Sequence, residues 1–185
     1  ALDDGKLDYG ASSYMAYNLL AVWTAADLAD VGFDALERAV VAFDPHNGRL
    51  ERYSIEGHEV LLNLAKNPTG FNQNLNIVLE GAAGTAGAGG SAVAFYINDK
   101  EADGHDVSWL WDIDFQNLAS AVQAGDLRVF AGGIRRNDMQ VRLKYAGVPA
   151  GLVEGADDFL ARVPAGAKAY VIANYTALPA VKAAL

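Results

Sequence analysis

The chain has 185 residues, 52% of them hydrophobic, and is therefore long enough to bury one full core. Its formal net charge of −9 at pH 7 argues against a nucleic-acid-binding surface, which requires a basic patch. The sequence has no cysteine, which excludes disulfides, thiolate zinc sites and a cysteine nucleophile within it. No apolar run approaches the ~20 residues of a membrane span, and the acidic amino terminus does not resemble a signal peptide. A soluble cytoplasmic protein is predicted.

The amino-terminal part of the chain has a helical pattern. Apolar residues recur at helical spacing over residues 12–30, where Ser12 or Ser13 can cap the helix, and a shorter helix is predicted over residues 34–41. Two helices are too small to hold a core of their own. Residues 1–50 are therefore predicted to be a remnant of a neighbouring domain.

From residue 51 onward, strand and helix patterns alternate. Strands are predicted at residues 52–55, 59–65, 92–97, 127–131 and 169–173, and helices over 68–79, 115–124, 136–145, 157–161 and 176–184. This alternation is typical of an α/β fold with a mostly parallel sheet covered by helices on both faces. Residues 51–185 are predicted to form that domain. The glycine- and alanine-rich residues 81–90 precede a strand, which favours a helix-to-strand connection over a phosphate cradle.

An acidic loop follows the predicted strand at residues 92–97. Five aspartates and two tryptophans fall within sixteen residues: Asp99, Asp103, Asp106, Trp109, Trp111, Asp112 and Asp114. In an open α/β sheet, ligands bind where the loops after the strands meet. Carboxylates this close repel one another, so at least one is expected to have a functional role. The alternative is a helix start, with Asp112 or Asp114 as the N-terminal cap and both tryptophans in the core.

Asp106 is the carboxylate that we single out for catalysis. A carboxylate can orient a histidine by accepting its Nδ1 proton, as the third member of a nucleophile–histidine–acid triad. The chain supplies no nucleophile, so the other members would come from another chain. The three histidines, His46, His58 and His105, have no metal-ligand spacing, and no metal site is predicted. His46 and His58 are predicted to be exposed turn residues, whereas His105 is either solvated or part of a site.

Three further segments carry residues that can bind anions. Arg49 lies in a predicted turn at residues 44–49, where it can reach a phosphate or remain solvated. Lys66 and Asn67 stand between a strand and a helix, so they form either a phosphate or carboxylate site or a simple helix-capping turn. Residues 132–139 contain paired glycines and also open a helix, and a structural role is predicted for them.

Together these segments resemble the carboxyl-terminal part of the MurT family, the Mur ligase-like subunits of lipid II isoglutaminyl synthases. The matching segments are residues 17–21, 47–51, 64–72, 98–115 and 132–147. The motifs at residues 67–72 and 106–109 are specific, and the order of the segments along the chain also matches. The resemblance covers nearly the whole chain.

The resemblance implies a fold and a cofactor. Residues 51–185 would be the Rossmann-like C-terminal domain of a Mur ligase, and residues 1–50 the end of its central ATPase domain. The full-length protein would use ATP and Mg²⁺. The phosphate loop and the four-cysteine zinc ribbon of the family are absent from this sequence. The chain would therefore be a fragment that is inactive alone.

The resemblance also implies a reaction on lipid II in the cytoplasm, at the inner face of the membrane. The α-carboxyl of D-glutamate in the stem peptide would be phosphorylated by ATP, and ammonia would then attack it to give D-isoglutamine. A separate glutamine amidotransferase subunit, GatD, would supply the ammonia, together with a cysteine and a histidine. An aspartate of the ligase C-terminal domain would complete that triad across the interface. Asp106 is the expected residue, and the other candidates are Asp103, Asp112 and Asp114.

Positions near the nucleotide follow from the same resemblance. Asn18 and Arg49 would lie near it, and Lys66 and Asn67 would face the phosphates or the substrate carboxylate at the interdomain crevice. Met15 stands where Mur ligases usually carry an asparagine. That departure weakens the case for an adenine contact by this helix.

The acidic loop would serve different partners under different interpretations. In a MurT-type subunit, Trp109 and Trp111 would dock the amidotransferase, because aromatic residues make good interface anchors. The main rival is a stand-alone α/β binding module whose acidic loop holds a basic partner or a divalent cation. The oxygen ligands for a cation would come from Asp99, Glu101, Asp103 and Asp106. Another Mur or folylpolyglutamate-type ligase is the second rival, and it should lack the motif at residues 106–109.

Overall fold

The computed structural model describes residues 16–43 and 48–185. The chain divides into two compact units, Ala1–Pro45 and His46–Leu185. The predicted caps Ser12 and Ser13, together with Met15, His46 and Asn47, lie outside the described residues. None of the helices within the described ranges is long and apolar enough to cross a membrane.

The first unit contains two helices, α1 (Ala16–Leu28) and α2 (Phe33–Val41). Helix α1 buries none of its residues, whereas α2 has a marked apolar face and buries Leu36. The ring centroids of Trp23 and Phe33 lie 5.3 Å apart, so each helix contributes one aromatic side chain to a contact between them. Both predicted helices are confirmed within the described residues.

The second unit is built on a six-stranded sheet. Its strands are β1 (Glu51–Ile55), β2 (His58–Leu64), β3 (Ser91–Tyr96), β4 (Leu127–Gly132), β5 (Ala150–Leu152) and β6 (Lys168–Ala173). Their order in the sheet is β1-β2-β6-β3-β4-β5. Only β1 runs antiparallel, against β2, and every other neighbouring pair is parallel. The predicted mostly parallel sheet is confirmed, although β5 was not predicted.

Helices cover both faces of this sheet, as predicted. They are α3 (Pro68–Ala82), α4 (Ala119–Ala124), α5 (Arg136–Tyr145), α6 (Ala156–Leu160) and α7 (Leu178–Ala183). One core lies under α3, α4 and α5 and includes Phe71, Phe95, Phe115, Met139 and Leu143. The other lies under α6 and α7 and includes Leu62, Ala94, Phe159, Val171 and Val181. Because β3 contributes to both cores, all six of its residues are buried.

The hairpin between β1 and β2 corrects the prediction for His58. Glu56 and Gly57 both have positive φ, 49° and 85°, as a two-residue type I′ turn requires. The turn therefore ends at Gly57, and His58 pairs with Ile55 as the first residue of β2. Its side chain alternates onto the same face as Val60, and only 9% of the residue is exposed. The prediction of an exposed turn residue was wrong.

The glycine-rich residues 81–90 connect α3 to β3, as predicted, through a short 3₁₀ helix at Ala86–Ala88. Asp126, which precedes β4, holds this connection by accepting the backbone N–H of Ala86 at 2.8 Å. The Thr85 hydroxyl donates to the Asp126 carbonyl at 3.0 Å. These contacts lie at the edge of the sheet where β3 and β4 begin. The loops that follow these strands lie at the opposite edge.

Candidate functional site

The carboxyl ends of four parallel strands meet at one edge of the sheet. The residues that follow β2, β3, β4 and β6 there are Lys66 and Asn67, Asn98 and Asp99, Gly133 to Arg135, and Asn174 to Thr176. The acidic loop begins at this edge, after β3. Ligand sites of open α/β sheets lie at such edges because loops from several strands converge.

Two buried asparagines lock the strand ends together. The Asn98 backbone N–H donates to Oδ1 of Asn174 at 3.1 Å, and Nδ2 of Asn174 donates to the Asn98 carbonyl at 2.8 Å. Oδ1 of Asn98 accepts the N–H of Ile134 at 2.9 Å. The ends of β3, β4 and β6 are thereby joined by side-chain amides. The acidic loop therefore starts from a fixed base.

Gly133 allows the backbone after β4 to lie close to the backbone at the end of β3, where the acidic loop begins. Its φ is +84°, and a Cβ atom at this position would lie 2.5 Å from the Ile97 carbonyl oxygen. That same carbonyl accepts the N–H of Arg135 at 2.9 Å. The paired glycines thus serve the junction of β3, β4 and α5, in agreement with the structural role predicted for residues 132–139.

The acidic loop is ordered into three short 3₁₀ helices, Glu101–Asp103, Ser108–Asp112 and Phe115–Leu118. Its carboxylates do not converge. Asp99 pairs with Arg135 at 3.6 Å, Asp103 accepts the N–H of Thr176 at 3.0 Å, and Asp114 accepts Nδ2 of Asn72 at 3.1 Å. Within residues 16–43 and 48–185, no group of three or more acidic or histidine side chains could hold a metal ion. The geometry of the loop therefore does not favour the rival cation site.

Asp106 is fixed by one residue and open to solvent. Its Oδ1 accepts the backbone N–H of Ser108 at 2.7 Å, and the side chain is exposed. This N–H, followed by the Ser108 side chain, lowers the pKa of the Asp106 carboxyl below its ordinary value. A carboxylate has about four lone-pair positions, so the bond from the Ser108 N–H leaves it able to accept a hydrogen bond from another molecule. Asp106 is held ionised and still has acceptor capacity.

The other candidate aspartates differ from Asp106. Both oxygens of Asp103 are engaged by Thr176, through its backbone N–H and its hydroxyl. Asp114 is paired reciprocally with Asn72, whose Oδ1 accepts the Asp114 N–H at 2.9 Å. Asp112 is exposed within the 3₁₀ helix Ser108–Asp112. Asp103 is thus part-buried with both oxygens engaged, whereas Asp114 is exposed and tied to α3 through Asn72.

The helix-start alternative holds in part, because Asp114 occupies the N-cap position of the 3₁₀ helix Phe115–Leu118, whereas one of the two tryptophans is exposed. Asp114 makes no side-chain capping bond, and Asp106 is the residue whose carboxylate meets the first N–H of a 3₁₀ helix. Trp109 packs against the core, with its ring centroid 5.4 Å from that of Phe71. Trp111 is 54% exposed. Residues two apart point to different sides of a helix, so Trp109 and Trp111 cannot both turn inward.

Arg142 holds the loop from below, and sequence reasoning did not identify it. This residue of α5 is 3% exposed. Its Nε donates to the Leu110 carbonyl at 3.0 Å, and its Nη2 donates to the Ile113 carbonyl at 2.5 Å. The signal in the sequence was its position, three residues after Met139 and next to Leu143, on the apolar face of the helix.

An apolar surface is formed by one residue of the acidic loop and two of α5. The ring centroids of Trp111 and Tyr145 are 5.5 Å apart in an edge-to-face arrangement, and Val141 is exposed next to them on α5. We call Trp111, Val141 and Tyr145 the aromatic surface. A cleft of about 240 Å³ borders it and is lined by Val107, Ser108, Leu110, Trp111, Asn137, Asp138 and Val141. Exposed aromatic side chains beside a cleft are typical of protein-binding surfaces.

Lys66 and Asn67 have separate roles at the end of β2. Oδ1 of Asn67 accepts the Gly70 N–H at 2.8 Å, and Pro68 follows as the first residue of α3, so the helix-capping interpretation is confirmed for Asn67. Lys66 is exposed. Its Nζ lies 3.2 Å from the Tyr175 hydroxyl and 5.2 Å from the centroid of that ring. Lys66 therefore remains a candidate anion-binding residue at this edge.

The remaining predicted site residues belong to different parts of the chain. Arg49 is exposed and precedes β1, whereas Asn18 belongs to α1 in the first unit. His105 is exposed, with its Nδ1 2.8 Å from the Asp99 carbonyl oxygen. His46 and Asn47 lie outside the described residues, so the turn at residues 44–49 is described only at Gly48 and Arg49.

Comparison with known proteins gives one family and several relatives. Residues 64–178 match the family described as MurT ligase C-terminal. The chain is 30% identical over 182 residues to subunit MurT of the lipid II isoglutaminyl synthase (glutamine-hydrolyzing) of Staphylococcus aureus, covering 96% of this chain and 39% of the relative. It is also 30% identical over 192 residues to the MurT subunit of Streptococcus pneumoniae, with 95% and 39% covered. The chain thus spans well under half the length of these relatives.

Among solved structures, the fold is similar to that of MurF from Acinetobacter baumannii. The TM-score is 0.63 at 13% sequence identity, and the match covers 95% of this chain and 38% of MurF. An identity this low supports the fold alone. The architecture is therefore that of the C-terminal part of a Mur ligase, as predicted.

Proposed function

This chain belongs to the MurT ligase C-terminal family, and we propose from that premise that it is part of a ligase subunit that amidates lipid II. The α-carboxyl of D-glutamate in the lipid II stem peptide would become the amide of D-isoglutamine, at the expense of ATP and glutamine. This reaction in peptidoglycan synthesis would take place at the cytoplasmic face of the membrane. The family match favours this function over that of a folylpolyglutamate-type ligase, because it covers the acidic loop.

The observation that carries the proposal is the state of Asp106 in a member of this family. It is ionised, exposed and oriented by Ser108, which also lines the cleft at the aromatic surface. Since this sequence has no cysteine, a thiol nucleophile for glutamine hydrolysis would come from outside it. We propose that its source is a second subunit, a GatD-type glutamine amidotransferase that supplies a cysteine and a histidine.

Asp106 would act on the histidine of that partner. By accepting a hydrogen bond from Nδ1–H, it would hold the ring in the tautomer in which Nε2 can take a proton from the thiol. It would also stabilise the imidazolium that this transfer creates. Because Ser108 fixes the carboxylate, its orientation is settled before the partner docks, which lowers the entropic cost of assembling the triad.

The aromatic surface would dock the same partner. Trp111 and Tyr145 are exposed, and Arg142 lies under the Trp111 ring at 5.4 Å from its centroid. Trp and Tyr are enriched among the residues that contribute most to binding at interfaces. Trp109, expected to share this role, is half-buried against Phe71 and would support the surface from inside.

ATP would be bound chiefly by parts of the subunit that this sequence does not contain. When bound with Mg²⁺, ATP supplies the phosphoryl group that activates the substrate carboxylate. Of the predicted nucleotide-site residues, Lys66 fits best, because its ammonium is exposed at the carboxyl edge of the sheet. We propose that Lys66 holds a phosphate or the substrate carboxylate, with Asn67 shaping its loop. Arg49 and Asn18 would lie nearer the nucleotide, residues 1–50 being the end of the central ATPase domain.

The test is glutamine hydrolysis by the complete subunit in complex with a GatD-type amidotransferase. Replacing Asp106 by Asn keeps an oxygen for the Ser108 N–H but cannot carry the charge that stabilises the imidazolium. We expect the glutaminase kcat to fall on the order of 10⁴-fold, as it does on loss of a triad carboxylate elsewhere. Co-purification of the two subunits should be unchanged.

Glu56→Gln is the matched control, since Glu56 is exposed in the hairpin turn at the opposite edge of the sheet. Full activity of Asp106→Asn would remove Asp106 from the triad. If Asp112→Asn then lost activity, the role would pass to that residue. The absence of any stimulation of the glutaminase by the wild-type subunit would contradict the proposed function itself.

A further inference from the structure

We propose that Arg142 is a positioning residue for Asp106: it fixes the 3₁₀ helix Ser108–Asp112, whose first N–H holds the Asp106 carboxylate. This inference rests on the proposed function of Asp106. Arg142 touches neither the carboxylate nor any predicted site residue except Trp111, so it would act through the geometry of the loop.

The hydrogen bonds of Arg142 connect α5 to the acidic loop. Its guanidinium donates to the Leu110 and Ile113 carbonyls and to Oε1 of Gln116 at 3.3 Å. It also lies 5.4 Å from the centroids of the Trp111 and Phe115 rings. A buried cation is costly unless hydrogen bonds satisfy it, and here the acceptors come from the loop, 26 to 32 residues earlier in the chain. The loop and the arginine therefore depend on each other.

Charged side chains hold both ends of the short helix. Asp106 accepts an N–H at the beginning, and Arg142 donates to carbonyls at the end, where helices leave such groups unpaired. A negative charge at the start and a positive charge at the end are also the signs that the helix dipole favours. A single turn of 3₁₀ helix has little stability of its own, so these contacts determine its position.

The same arginine supports the aromatic surface. Its guanidinium carbon lies 5.4 Å from the ring centroids of the exposed Trp111 and of the buried Phe115. Trp111 belongs to the 3₁₀ helix Ser108–Asp112, and Asp106 is bonded to its first N–H. Both side chains would therefore be oriented by Arg142. Proper placement of the triad acid and of the docking surface would depend on one buried side chain.

Lysine at this position tests the requirement for a planar, forked donor. Lys carries the same charge, but it cannot donate to two separated carbonyls in a fixed geometry or stack flat between two rings. We expect Arg142→Lys in the complete subunit, bound at saturation to the amidotransferase, to lower the glutaminase kcat about tenfold or more. KM for glutamine should stay the same, because glutamine would bind to the partner. Arg128→Lys, on the exposed side of β4, is the control.

A second measurement needs no partner. Amide hydrogen exchange of the loop residues 106–116 should accelerate in Arg142→Lys, while exchange in β3 and β6 should not change. Should Arg142→Lys not fold, Gln116→Ala removes one exposed acceptor of the guanidinium and should give a smaller change of the same kind.

The outcomes separate this inference from the proposed function. Faster exchange together with a lower kcat and unchanged KM supports the positioning role. Unchanged exchange in a folded Arg142→Lys overturns it, and so does faster exchange with full kcat. If exchange in the loop is faster in Arg142→Lys but even the wild-type subunit does not stimulate the glutaminase, the proposed function is wrong. In that case the result shows only that Arg142 stabilises the loop.

Discussion

Glu51, where the chain enters the second unit, and Asp106, in the acidic loop, are both carboxylates held ionised by a backbone N–H. Glu51 accepts the Gly48 N–H at 2.6 Å, pairs with Lys182 at 2.7 Å and also receives the Tyr53 hydroxyl. Its side chain is 9% exposed, whereas that of Asp106 is open to solvent and has only Ser108 as a partner. The surroundings of Glu51 already use its acceptor capacity, and those of Asp106 do not.

This difference separates a structural carboxylate from one available to a partner. Burial opposes the ionisation of Glu51, but the hydrogen bonds from Gly48, Lys182 and Tyr53 outweigh it and lower the pKa of Glu51 to about 2. A strongly lowered pKa is therefore not by itself a sign of function in this protein. Exposure and unused lone pairs are what distinguish Asp106, and the following predictions test that distinction.

The largest expected effect comes from Gly133→Ala, which disturbs the base of the acidic loop without touching a carboxylate. The new Cβ would meet the Ile97 carbonyl at 2.5 Å, and φ is +84°. We expect the free energy of unfolding to fall by about 3 kcal/mol in chemical denaturation. Glutaminase stimulation should fall as well, because the strand ends under the loop must separate.

Gly87→Ala is the control for that change, since a Cβ at Gly87 has open space around it. A Gly133→Ala protein with normal stability and normal glutaminase stimulation would contradict this prediction. It would mean that the position of Asp106 does not depend on the junction of β3 and β4.

Local patterns in the sequence predicted most of this fold. Strands β3 and β6 are continuous apolar runs, and Asn67-Pro68 marks the start of α3 by capping chemistry alone. Strand β5 was missed because Ala150–Leu152 is too short to show a pattern, and only its pairing with β4 makes it a strand. His58 was misjudged because turn composition surrounds it, although the turn itself is confined to Glu56 and Gly57.

The candidate site was harder to predict than the fold, because contacts with residues far along the chain decide which aspartates are already engaged. The sequence gives five similar aspartates, and their difference arises from contacts such as Asp103 with Thr176, 73 residues away, and Asp114 with Asn72, 42 residues away. Arg142 was overlooked since an arginine is usually solvated. Its burial follows from carbonyls of a loop that no local pattern connects to α5.

A smaller, pH-dependent effect is expected from Glu51→Gln. Because the folded-state pKa is lowered from 4.5 to about 2, the contribution of Glu51 is fully present above pH 4.5 and is lost as the pH falls through about 2. We expect the variant to be about 2 kcal/mol less stable than wild type at pH 7. The difference should shrink on acidification, as measured by denaturant unfolding across this range.

Glu56→Gln again provides the control, as an exposed acid on the same hairpin. A destabilisation by Glu51→Gln that stays constant down to the lowest pH would argue that shape, and not charge, matters at Glu51. In that case the contrast with Asp106 would lose its electrostatic basis. Glutaminase stimulation should be unaffected at pH 7.

The smallest effect is expected from Ser108→Ala, which removes the hydroxyl that is the second cause of the lowered pKa of Asp106. The backbone N–H is the larger cause of the lowered pKa and remains in the variant, so the pKa of Asp106 should rise only part of the way to its ordinary value. Titration of the carboxyl ¹³C resonance measures this directly, with Ser120→Ala on α4 as the control. An Asp106 pKa that returns fully to the ordinary range would mean that the N–H bond does not hold the carboxylate. Since Asp106 stays ionised at pH 7 in either case, stimulation should persist at neutral pH and be lost at a slightly higher pH on acidification. That shift would identify Asp106 as the group whose protonation ends activity, a role that the enclosed Glu51 cannot have.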